Sequence, residues 1–91
     1  MKAIIEEYEF NNVNWQVNNA VGVLSLPPSE SIVSIIEICN SATEITIYDE
    51  DVFVGRWHIF NILSIENKST IDVSFQINRQ NDENSSFEEL E

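Results

Sequence analysis

The stretch from Arg56 to Asn78 constrains this chain most: RWHIFNILSI, then ENKST, then IDVSFQIN. In its second arm Ile71, Val73, Phe75 and Ile77 fall on one side, and Asp72, Ser74, Gln76 and Asn78 on the other. This period-2 alternation is the signature of a strand with one buried and one wet face. Because the buried face fixes register, the turn length follows from asking which pairing keeps that face apolar. A turn over Glu66 to Thr70 sets Ile65 opposite Ile71, Leu63 opposite Val73, Asn61 opposite Phe75, Ile59 opposite Ile77 and Trp57 opposite Arg79. A turn one residue shorter sets Leu63 against Asp72 and Ile59 against Gln76, so the longer turn is preferred.

The rest of the chain reads as further short strands. Lys2 to Phe10 combines aromatic and β-branched residues and predicts a strand, with Asn11 and Asn12 as a turn. Val13, Trp15 and Val17 alternate with polar residues, Asn18 to Ala20 reverse the chain, and Val21 to Leu26 return beside it until Pro27-Pro28 stops the ladder. Glu44 to Tyr48 predicts a strand with Ile45 and Ile47 inward and Thr46 outward, followed by the acidic turn Asp49-Glu50-Asp51 and Val52 to Val54. Gly55 interrupts the next strand where a bulge or bend would sit.

The segment SESIVSIIEICN admits two readings. Ser29 caps a helix with Ile32, Ile35, Ile36 and Cys39 on one face, or the β-branched run Ile32, Val33, Ile35, Ile36 and Ile38 makes a strand buried on both sides. β-branching favours the strand. The fold class expected is therefore all-β, a small antiparallel sandwich or barrel of six to seven short strands. Its alternative is α+β, with one helix at about 29–39 packed on an antiparallel sheet. Residues 1–79 form one β-rich domain, and 80–91, NDENSSFEELE after Gln80, form an acidic tail of disordered composition.

Charge limits the function classes. The net charge is −12, with Lys2, Arg56, Lys68 and Arg79 the only Lys and Arg residues. Direct nucleic-acid binding is disfavoured because it needs Lys and Arg to displace counterions from phosphate, and anionic membranes repel such a surface. A basic protein attracts it. The single cysteine, Cys39, excludes an internal disulfide, and no secretion signal or membrane-spanning run is evident, so a cytoplasmic protein is expected.

Candidate chemistry is sparse. Cys39 and His58 are the only thiol and imidazole, too few for a zinc site, and a lone Cys in an Ile-rich run reads as core. Asp49, Glu50 and Asp51 lack the frame of a calcium loop, Glu37 and Glu44 show no shared cleft, and Gly22 and Gly55 make no phosphate loop. No enzyme activity, metal or cofactor is expected.

The expected sites are surfaces for a partner. The proposed register puts Phe60 and Ile62 on the outer face with Arg56 and His58 beside them, an apolar centre with an acidic rim in Asp49, Glu50 and Asp51. In the tail, Phe87 and Leu90 lie among glutamates, a pattern that folds against a groove or a basic partner. The sequence reads as a small acidic binding protein that blocks the basic surface of a nucleic-acid-binding protein or toxin, such as a phage-encoded inhibitor of host defence or an immunity protein. The alternative is an assembly module forming a homo-oligomer through sheet edges or the Phe60/Ile62 patch.

Overall fold

Asn11, Asn12 and Val13 join two strands that lie at opposite ends of the same sheet, and this short link sets the shape of the molecule. The structure, a computed structural model, describes residues 1–80. Its strands are β1 (Lys2–Ile5), β2 (Tyr8–Phe10), β3 (Asn14–Asn18), β4 (Val21–Leu26), β5 (Glu44–Asp49), β6 (Val52–Asn67) and β7 (Ile71–Gln80), with helix α1 (Ile32–Asn40) between β4 and β5. They form one seven-stranded antiparallel sheet in the order β2-β1-β5-β6-β7-β4-β3. Laid flat, β2 and β3 would be about 29 Å apart at ~4.8 Å per strand, whereas the link from Phe10 to Asn14 reaches only about 14 Å. The sheet must curl. The amide of Val13 donates to the Met1 carbonyl at 3.0 Å and holds the link against β1, while β2 and β3 do not pair, so the barrel-like sheet stays open.

Curling gathers the apolar side chains on the concave face. Ala3, Ile5, Leu24, Ile45, Ile47, Val73 and Phe75 are almost fully buried there. Trp15 on edge strand β3 reaches Trp57 on β6 with ring centroids 5.2 Å apart, a contact a flat sheet would forbid. Gly22 makes room for it, since a Cβ at this position would lie 2.3 Å from Trp15 Cη2.

The strand expected over Lys2 to Phe10 is instead the hairpin β1–β2, reversed at Glu6-Glu7 with Glu6 at φ 55°. The central hairpin is also corrected. Ile59 opposes Ile77 and Trp57 opposes Arg79 as the alternation predicts, but Ile62 then opposes Phe75, Ile65 opposes Val73 and Asn67 opposes Ile71. Two bulges on β6, at Phe60 and Leu63, absorb the difference, and the turn shortens to Lys68, Ser69 and Thr70. The reason is Asn61: unbulged pairing would bury its carboxamide opposite Phe75, at a cost of about 1–3 kcal/mol if it found no partner. With the bulges, Asn61 is exposed and Ile62 packs against the core.

The segment read as a strand is α1, so the helix-bearing form of the antiparallel fold is the one adopted. Its cap is Ser31 rather than Ser29; the Ser31 hydroxyl accepts from the Ser34 amide at 3.5 Å. β4 and β5 are three positions apart in the sheet order, with β6 and β7 between them. The connection must cross about 14 Å, and nine helical residues span about that distance at ~1.5 Å each. Ile35 and Cys39, one turn apart, are buried, which outweighs the few tenths of a kcal/mol that β-branching costs a helix.

Candidate interaction surface

The outer face of β5 and β6 carries Arg56, His58 and Phe60 of the residues singled out by the sequence. Between Ile47 and Tyr48 the pairing of these strands shifts, with Gly55 opposite Ile47 and Phe53 opposite Tyr48, so the irregularity expected at Gly55 is a bulge at Val54. That bulge turns Phe53 outward beside Tyr48, the rings edge-on at 5.9 Å. Lys2 Nζ lies 5.4 Å from the Tyr48 ring centroid. One pair along, Arg56 Nε donates to Thr46 Oγ1 at 3.3 Å, which satisfies the one buried polar side chain among the described residues. Next, His58 stands opposite Glu44 on one side and Asn78 on the other. Its ring is 5.1 Å from that of Phe60, and its Nδ1 is buried without a hydrogen-bond partner among the described residues. Phe60 ends the row with 60% of its surface exposed.

Sequence reasoning named Arg56, His58 and Phe60 but missed Tyr48, Phe53 and Lys2. The period-2 count breaks at Val54, and Gly55 was the only available sign of it. Ile62, expected beside Phe60 on the outside, is half-buried on the core side; Leu63, expected inside, is 49% exposed. Both corrections follow from the bulges. Phe87 and Leu90 lie outside the described residues, as does the tail from Asn81 onward.

Asp49, Glu50 and Asp51 form the tight β5–β6 turn, and all three are exposed. Glu50 and Asp51 both have positive φ, 50° and 68°. A two-residue turn of this hand favours Asn-Gly, because a side chain at positive φ costs about 1 kcal/mol per residue. Carboxylates therefore occupy positions that the backbone would give to other residues. Among the described residues, only Asp51 of the three has a cation nearby, Lys2 at 3.7 Å, and its own side chain is 92% exposed. From Val52 to Phe60 the strand runs about 26 Å, so the acidic turn and Phe60 mark two ends of a strip rather than one cluster.

The thiol and imidazole are kept apart. Cys39 packs into the core, where burial raises its pKa to about 11, while His58 lies on the outer face of β6. A thiol so protonated is a poor nucleophile at neutral pH. Glu37 and Tyr8 line a shallow cleft with Ser34, Ile38 and Ser41, and Glu44 on β5 is not among its lining residues. No group of three or more His, Cys, Asp or Glu among the described residues is placed to hold a metal ion, and no described helix is long and apolar enough to cross a membrane. No family model, no curated protein and no solved structure matches this chain at a level that would indicate a relationship.

Proposed function

We propose that this protein is a small acidic binding module that docks on a basic surface of a partner protein and blocks it. One observation carries the reading: the net charge is −12, and the described cations are already engaged within the fold. Lys2 lies against Asp51 and Tyr48, Arg56 against Thr46, and Lys68 between Glu66 and Asp72. A phosphate backbone would have to compete with these contacts for each lysine or arginine, whereas a cationic partner meets many open carboxylates. Phe60, Phe53 and Tyr48 would supply the apolar anchors within an acidic frame. Because carboxylates compete for positions where a basic site expects phosphate, the natural targets are nucleic-acid-acting proteins or toxins. Inhibition of a host defence protein by a phage product, or neutralisation of a toxin in the cytoplasm by an immunity protein, are settings this chemistry suits.

The test is capture of partners from native or host lysate by the tagged full chain at low and high salt, beside a variant with Asp49, Glu50 and Asp51 changed to Lys. Recovery of one basic protein that is lost with salt and with charge reversal is the expected result. Recovery indifferent to both would reject the reading. A homo-oligomer built through sheet edges is the second reading, favoured by the outer edges of β2 and β3, which pair with no strand among the described residues, and by exposed Phe60. Under it the wild type sediments as an oligomer and Phe60→Glu as a monomer.

A further inference from the structure

Strand β6 outruns its neighbour. β5 pairs with it only from Val52 to His58, and the last bond on that side is from the Ile59 amide to the Thr43 carbonyl at 2.8 Å. From Phe60 to Asn67, β6 is hydrogen-bonded to β7 on one side and to no strand on the other, among the described residues. The end of α1 lies beside this open edge and leaves a cleft of about 240 Å³. Cys39, Ala42, Ile59 and Ile62 form its buried and half-buried walls, and the exposed carboxamides of Asn40 and Asn61 flank it. A cleft bordered by amides and by free main-chain donors and acceptors matches a peptide backbone better than an apolar side chain.

We infer that this edge is where a short, extended, lysine- or arginine-bearing segment of the partner adds as a further strand, an inference that rests on the acidic docking reading above. Charge selects that occupant. Glu44 opens β5, Glu37 is exposed on α1, Glu66 sits on β6, and the Glu6-Glu7 turn adjoins the start of β5 through the Ile5–Ile45 pair. Among the described residues the one cation at this end, Lys68, is held by Glu66 at 3.2 Å and by Asp72 at 3.6 Å. A second copy of the chain would bring the same acidic end and a like charge of −12. The bulges at Phe60 and Leu63 also prevent two such edges from zipping flat along their length, while leaving room for a few residues of a foreign strand.

The experiment titrates the isotope-labelled full chain with a short synthetic peptide of alternating lysine and threonine at low salt, following backbone amide shifts and hydrogen exchange. The same peptide N-methylated at alternate residues is the control, because it keeps the charge and loses the edge donors. Shift changes and slowed exchange across Phe60 to Asn67 are expected, with the N-methylated peptide about tenfold or more weaker. Changes centred on Asp49 to Asp51, with N-methylation immaterial, would overturn the strand-addition inference and leave acidic docking standing. No response to either peptide would count against both. Protection of the same amides in a peptide-free dimer, seen by sedimentation, would overturn it in favour of a second copy.

Discussion

At Gly22 a single carbon decides whether Trp15 on edge strand β3 can reach the core. A Cβ there would stand 2.3 Å from Trp15 Cη2 and 3.0 Å from Ile77 Cδ1, and the Trp15 ring is itself wedged against Trp57 and Phe75. The rigid indole has no free end to yield. Gly22→Ala is therefore expected to cost about 1–3 kcal/mol in urea unfolding and to shift tryptophan fluorescence. An unchanged midpoint would mean that β3 is not clamped through this ring. Cys39 gives a second test, through pH. Its thiol pKa is raised from 9.0 to about 11, so between these values the unfolded chain releases a proton that the folded chain keeps. Stability should fall as pH rises from 9 to 11, and Cys39→Ala should flatten that part of the curve. Asp72 works in the opposite sense: hydrogen bonds from Thr70 and Ser25 and the charge of Lys68 hold its carboxyl below the ordinary value. Its contribution is present above the ordinary carboxylate range and is lost on acidification through the lowered pKa, so Asp72→Asn should make the acid limb of a stability–pH curve shallower.

Among the elements, β7 was legible in the sequence and β6 was not, although they form one hairpin. Ile71, Val73, Phe75 and Ile77 keep strict period 2, whereas the inward residues of β6 are Trp57, Ile59, Ile62 and Ile65, spaced by two, three and three. Each bulge adds a residue to one strand only, so no single-strand periodicity records it. The misfit that did record it was Asn61, polar at a position the regular register would bury. For α1 the competing signals were local against global. The β-branched run argued for a strand, and what won was the crossing from β4 to β5 together with burial of Ile35 and Cys39. The Asp49–Asp51 turn was legible as a turn, but its positive φ angles were not. They yield a prediction at this scale: Glu50→Asn with Asp51→Gly should raise stability by about 1 kcal/mol or more, because the new residues suit the turn. The same variant should weaken partner binding. A turn that gains no stability from Asn-Gly would show that its backbone is not held at positive φ.

For the molecule as a whole, topology and charge divide the work. The short β2–β3 link forces the curl that buries the core, so the convex side and the open β6 edge are left to carry carboxylates and a few large apolar groups. The open carboxylates and the exposed Phe60 should separate kinetically once a partner is in hand. Distant carboxylates act before contact, by raising the encounter rate with a cationic surface, and are screened when the Debye length shrinks to about 3 Å near 1 M salt. On the docking reading Phe60 would act after contact, through desolvation that salt does not screen. Reversing Asp49, Glu50 and Asp51 to Lys should therefore slow association by about tenfold at low salt, with little change in dissociation and no difference from wild type at high salt. Phe60→Ala should do the reverse, speeding dissociation by tenfold or so at every salt concentration while leaving association near the wild-type rate. Surface plasmon resonance across a salt series reads both. If the charge reversal instead acted on dissociation at all salts, the acidic turn would be a direct, desolvated contact, and the docking face would have to be centred on the Asp49–Asp51 end of β6 rather than on Phe60.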